Sequence, residues 1–116
     1  NQPRNIFLNI YRNSMFIIGN SSSGIGESAS IPIPAINVGY RQTGRKPNDN
    51  VIFSDINIDN ISNNIELVLS KEFQDKLKGI KNIYGDGFSS ERAYKLIKNN
   101  NFKEFIFKDE DILEMI

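Results

Sequence analysis

The chain has 116 residues, with 14 Lys plus Arg against 14 Asp plus Glu, and neither cysteine nor histidine. That length builds one domain around one core, and a formal charge of zero offers no basic surface for nucleic acid. The absent residue types exclude disulfides and thiolate metal sites and remove the commonest general base.

No apolar run approaches the roughly 20 residues that span a bilayer, and no signal-peptide core is visible. A cytoplasmic protein without a membrane partner is expected. A helical pattern is under way by Ile6 and no initiator Met precedes it, so the chain reads as a piece of a longer protein.

In chain order, Pro3 opens a helix to about Asn13, with Ile6, Phe7, Ile10 and Tyr11 at helical spacing. Met15 to Ile18 is a short apolar run that reads as a buried strand, and residues 22 to 30 read as a helix broken by Ile31-Pro32-Ile33-Pro34. Ala35 to Val38 is a second strand, residues 40 to 50 are a polar loop, and Val51 to Phe53 is a third strand.

Beyond it, Ile58, Ile61, Ile65, Val68 and Leu69 mark a helix capped by Asp59 or Asn57. Lys71 to Lys78 is a shorter helix ending at Gly79, and Ser89 or Ser90 caps another from Glu91 to about Lys98. The segment Phe102 to Ile116 is too apolar for a disordered tail and is expected to pack on something; the non-enzyme alternative is a module in which it mediates assembly and the Ser loop is only a cap. The order predicts an α/β unit with about three parallel strands. Ligands bind at the carboxyl ends of such strands, so the loops after Ile18, Val38 and Phe53 share one edge. The Ser-rich loop and Arg41 then come near each other.

Ser21-Ser22-Ser23-Gly24 falls between a strand and a helix, where free N–H groups and the helix dipole favour an anion. Plain helix capping explains the serines equally simply. Glu27, about one turn in, can accept hydrogen bonds from a ribose diol, although acids near a helix start are also favoured by the dipole alone. Arg41 and Arg45 flank Gly44 in a loop that can clamp an anion, or be solvated surface. In Tyr84-Gly85-Asp86-Gly87, the favoured role of Asp86 is a turn residue.

Ile18-Gly19-Asn20-Ser21-Ser22-Ser23-Gly24-Ile25 with Glu27, Ile36-Asn37-Val38-Gly39 followed by Arg41-Gln42 and Gly44-Arg45, Asn50-Val51-Ile52, and Tyr84-Gly85-Asp86-Gly87 occur in this order. The set resembles the C-terminal part of the hydrolysing UDP-N-acetylglucosamine 2-epimerases, over about residues 6 to 98. The resemblance implies half of a Rossmann-like domain in a glycosyltransferase-B type fold, with residues 1–100 in that domain and 101–116 as a helical extension. It implies that Ser21 and Ser22 hold the diphosphate, Glu27 the ribose hydroxyls, and Arg41 a further nucleotide contact, with Ser23 and Gly24 as possible additions. UDP-N-acetylglucosamine or UDP is the implied ligand, a preceding N-terminal domain and a homo-oligomer the implied partners, and no metal or cofactor is implied. The proton-transfer acids and histidine are expected upstream, so these 116 residues alone are expected to be inactive. GDP-sugar 2-epimerases of legionaminic acid synthesis and glycosyltransferase-B transferases share much of the pattern. Pro32 stands where the family usually has Gly, and Tyr40 where it has a small or acidic residue.

Overall fold

The computed structural model describes residues 2–102. The expected extension over 101–116 lies outside the described residues apart from Asn101 and Phe102. The chain divides into two compact units, Asn1–Tyr84 and one beginning at Gly85.

The first unit opens with helix α1 (Arg4–Arg12), for which Pro3 is the N-cap. Its inward residues are Tyr11, which is buried, and Phe7 and Leu8, which are partly covered. Ile6 and Ile10 stay exposed. Strands β1 (Ile17–Gly19), β2 (Ala35–Val38) and β3 (Val51–Ser54) form one parallel sheet in the order β1-β2-β3. The register pairs Ile17 with Ala35 and Ala35 with Val51.

Side chains alternate across a strand, and β2 uses both faces. Ile36 joins Val68, Phe73 and Leu77 in the core, against helices α3 (Ile58–Leu69) and α4 (Lys71–Lys76). Ala35 faces the short helix α2 (Ser22–Gly26), where a Cβ added at Gly24 would lie 3.7 Å from the Ala35 Cβ. Cover on both faces makes β2 a near-continuous apolar strand, as parallel sheets require.

The strand expected at Met15 to Ile18 is not buried. It runs Ile17–Gly19, with Ile18 45 % and Met15 70 % exposed. The reason is position: β1 is at the sheet edge among the described residues, and an apolar run marks a strand without saying which side is covered. The helix expected over 22 to 30 divides into α2 and a 3-10 turn, Ser28–Ser30. Ser28 Oγ donates to Gly24 O at 2.6 Å, a side-chain bond that competes with continued helix.

Asn57, not Asp59, caps α3 by accepting from Asn60 N at 2.8 Å. Ser70 ends α3 and starts α4: its Oγ donates to Leu67 O at 2.7 Å and accepts from Phe73 N at 3.2 Å. Helix α4 closes at Lys76 with Leu77 as C-cap, and Gly79 follows with φ +81°.

In the second unit, α5 spans Ser89–Asn99, so both serines expected as caps lie inside the helix. Phe88 is the N-cap and no side chain caps it; just before it Asp86 accepts from Phe88 N at 3.1 Å in an Asx turn and pairs with Arg92 through both carboxylate oxygens. That pairing, with the Phe88 N–H, holds the Asp86 carboxyl down at about 2. No helix among the described residues is long and apolar enough to cross a membrane.

Candidate functional site

The carboxyl ends of the three strands carry the loops of interest. After β1 the chain passes Gly19, whose φ of +152° suits glycine, and turns into α2 through Asn20 and Ser21. Ser21 is the N-cap, with its Oγ 3.3 Å from the Ser23 N it accepts from. Ser21 and Ser22 are exposed, Ser23 is half-buried and Gly24 is buried against β2. The capping explanation of Ser21 is therefore correct as local structure, and it leaves the Ser22 hydroxyl facing solvent.

Glu27 is not in the first turn. Because α2 has only five residues, Glu27 is its C-cap, at the negative end of the peptide dipoles. A favourable dipole therefore does not account for a carboxylate there. What offsets it is Arg4 of α1, whose Nη2 lies 3.0 Å from Glu27 Oε2. Both side chains are well exposed, so the pair adds little to stability.

The loop after β2 meets the serine loop as expected. Gln42 Nε2 donates to Asn20 O at 2.9 Å, and Arg41 Nη1 reaches the same oxygen at 3.4 Å. Gln42 is 3 % exposed and makes the shorter bond, so it is the structural tie, while Arg41 is largely free. Among the described residues no carboxylate forms a salt bridge with Arg41 or Arg45. An arginine without an ion pair beside exposed hydroxyls is suited to an anion.

Four contributors escaped the sequence reading. Tyr11 OH lies 2.8 Å from Ser23 Oγ, linking α1 to the serine loop. Asn48 Nδ2 donates to Ile25 O at 3.0 Å, and Asn82 Nδ2 donates to Gly26 O at 2.7 Å. These two asparagines close the carbonyl end of α2 and also bond each other at 3.3 Å. Asn37, buried on β2, lines a recess of about 30 Å³ together with Ser21 and Gly24. A buried amide is the only hint such residues give in a sequence, and it does not name its partner.

A larger open cleft of about 580 Å³ lies at the ends of β2 and β3, between Tyr40, Phe53, Asp55 and Ile56. Ser21, Ser22, Glu27 and Arg41 do not line it.

Comparison with known proteins follows the same residues. The profile of the family described as UDP-N-acetylglucosamine 2-epimerase matches residues 1–98. The chain is similar to a UDP-N,N'-diacetylbacillosamine 2-epimerase (hydrolyzing) of Legionella pneumophila, 45 % identical over 92 residues, which is 79 % of this chain and 23 % of that protein. A GDP/UDP-N,N'-diacetylbacillosamine 2-epimerase (hydrolyzing) of Campylobacter jejuni is 43 % identical over 59 % of this chain and 17 % of its own length. A UDP-N-acetylglucosamine 2-epimerase of Neisseria meningitidis is 32 % identical over 81 % of this chain and 24 % of its own. The chain thus spans less than a quarter of the length of these relatives.

Proposed function

Because the chain belongs to the UDP-N-acetylglucosamine 2-epimerase family, we propose that it forms the leaving-group grip of a hydrolysing nucleotide-sugar 2-epimerase. Residues 1–100 would be the C-terminal half of the nucleotide-binding domain. The observation that carries the reading is the tie of Arg41 and Gln42 to the Asn20 carbonyl. It joins an arginine that has no ion pair among the described residues to the Ser21-Ser22 hydroxyls, at the carboxyl ends of parallel strands.

The reaction eliminates UDP from UDP-N-acetylglucosamine and adds water to the resulting glycal, giving N-acetylmannosamine and UDP, a supply for sialic acid-type sugars. Negative charge gathers on the diphosphate as the C–O bond breaks. Hydroxyl donors at Ser21 and Ser22 and the Arg41 guanidinium would stabilise it there, in a geometry fixed before the reaction begins. Glu27 would accept from the ribose hydroxyls, which sets the nucleotide's direction across the loop. The proton transfers fall to acids and a histidine that the resemblance places outside these 116 residues.

A second substrate is favoured by a specific observation. The two relatives named for N,N'-diacetylbacillosamine are more similar to the chain, at 45 % and 43 % identity, than the one named for N-acetylglucosamine at 32 %. The name of the second also admits GDP. Offering UDP-N-acetylglucosamine, UDP-N,N'-diacetylbacillosamine and GDP-N,N'-diacetylbacillosamine to the full-length protein, with NMR identification of the released sugar, decides among them. Release of N-acetylmannosamine from the first supports the primary reading, and turnover of another alone replaces it. Transfer of the sugar to an acceptor would point to a glycosyltransferase instead.

A further inference from the structure

The Ser21 hydroxyl is the outer end of a chain of three. Tyr11 OH lies 2.8 Å from Ser23 Oγ, and Ser23 Oγ lies 3.1 Å from Ser21 Oγ. The Ser23 backbone N–H donates to Ser21 Oγ as well. A hydroxyl has one proton and two lone pairs, so the sense of the chain decides what Ser21 shows to solvent. When Tyr11 donates to Ser23, the Ser23 proton is left available for Ser21, and no other acceptor for it is found among the described residues. Both Ser21 lone pairs are then filled, by the Ser23 O–H and N–H, and its own proton is turned outward. In the reverse sense Ser21 spends its proton on Ser23 and shows a lone pair, which repels an anion.

The phenol fixes the sense. A phenolic proton is far more acidic than an alcohol's, so Tyr11 is the better donor and the poorer acceptor of the two. The Tyr11 ring is 6 % exposed and lies against Phe7, with centroids 4.6 Å apart. Burial, opposed by the Ser23 bond and aided by the Glu27 charge, raises the phenol above its ordinary value, so the donor proton stays in place. A separate observation places a buried, unpaired acceptor on a residue beside Ser21. Asn37, 3 % exposed, lines the recess that Ser21 lines; its Nδ2 donates to Gly39 O at 3.2 Å, and its Oδ1 has no hydrogen-bond partner among the described residues. A nucleoside diphosphate carries both complements: anionic oxygens for the Ser21 proton and hydroxyl donors for an unpaired acceptor.

We infer that Tyr11 is a positioning residue of the nucleotide grip: acting through Ser23, it turns the Ser21 hydroxyl proton outward onto a diphosphate oxygen. The inference rests on the UDP reading above. It adds a residue of α1 to a site otherwise built from the loops after β1 and β2.

The test is an NMR titration of the 116-residue chain with UDP, comparing wild type, Tyr11→Phe, Ser21→Ala, the double variant, Ser23→Ala and Glu27→Ala. Tyr11→Phe is expected to weaken UDP about threefold to tenfold, the range of one hydrogen bond. Ser21→Ala is expected to weaken it at least as much, and adding Tyr11→Phe to Ser21→Ala to cost nothing more. That non-additivity distinguishes action through Ser21 from a general packing role, which would multiply the two losses. Ser23→Ala cuts the chain at its middle and is expected to match Tyr11→Phe, which keeps the test available should the Tyr11 variant not fold. Unchanged affinity in Tyr11→Phe, or losses that multiply, overturns the inference while UDP binding lost in Glu27→Ala upholds the site. Absence of UDP binding by wild type overturns both.

Discussion

The two ends of α2 are treated in opposite ways. At its carbonyl end Gly24 O, Ile25 O and Gly26 O each accept from a side chain, those of Ser28, Asn48 and Asn82. At its amino end Ser21 caps one N–H, and two hydroxyls face solvent. A five-residue helix cannot hold itself, because nucleation costs more than so few bonds return. The clamped end therefore fixes the helix in space and the other end is left free to meet a ligand. Position and chemistry are supplied by different residues on one short element.

The contrast predicts that stability and binding fail separately. The largest stability loss belongs to the clamp. Asn48 is 3 % exposed, donates to Ile25 O, and accepts from Ile83 N at 2.8 Å. Asn48→Ala strands the buried Ile25 carbonyl and releases the Ile83 N–H, and is expected to cost about 2–3 kcal/mol, read as a fall in the urea midpoint with unchanged slope. A loss below about 0.5 kcal/mol would mean that the clamp is ornamental.

Next is Gly39, at the end of β2. Its φ is +77°, and an added Cβ would lie 3.1 Å from Ile56 Cδ1. Since Ile56 is 72 % exposed, its side chain can yield while the backbone strain stays. Gly39→Ala is expected to cost about 1–2 kcal/mol in the same urea experiment, and Ile56→Ala to relieve almost none of it.

At the open end, Ser21→Ala removes a cap and is expected to cost about 1 kcal/mol, while UDP affinity falls tenfold or more. Should Asn48→Ala lower affinity as much as Ser21→Ala at a temperature where both are folded, the two ends are not independent. Arg4→Ala is expected to change stability by less than about 0.5 kcal/mol, because the Arg4–Glu27 pair is solvated.

The smallest effect lies in the second unit, where the exposed Asp86 carboxylate pairs with Arg92 of α5 with no burial to amplify it. Asp86 is expected to titrate at about 2, held below its ordinary 3.8 by hydrogen bonds from Arg92 and then from Phe88 N. The folded value is depressed, so the contribution is complete above the ordinary value and fades as pH falls through about 2. Carboxyl NMR shifts in Arg92→Ala should carry the midpoint back toward the ordinary range. An unmoved midpoint would assign the depression to the Phe88 N–H alone.

What the sequence discloses here follows the range of each interaction. The three strands, a cap at Asn57 or Asp59 and the meeting of the serine loop with Arg41 rest on local pattern or on the rule for parallel sheets, and these can be read beforehand. The partners of Asn48 and Asn82 are not local. Asn48 reaches back 23 residues to Ile25, and Asn82 reaches 56 to Gly26. Polar side chains carry no periodic signal naming a distant carbonyl. Tyr11 deceives for another reason: helical spacing explains it fully as a core residue, and its hydroxyl bond to Ser23 leaves no trace in that spacing. Glu27 is misplaced because an acid shortly after a helix start looks the same whether the helix runs five residues or nine.

Ser70 has a consequence for motion. One hydroxyl bonds the last turn of α3 and the first turn of α4, and the core residues Val68, Phe73 and Leu77 lie on the two sides of it. Neither helix can then fray at that corner without loosening the other and wetting Ile36 beneath them. Amide hydrogens around the corner should exchange with one common opening free energy, that of the whole β2–α3–α4 block. The sheet edge that carries the serine loop would thus stand on a foundation that opens all at once or not at all.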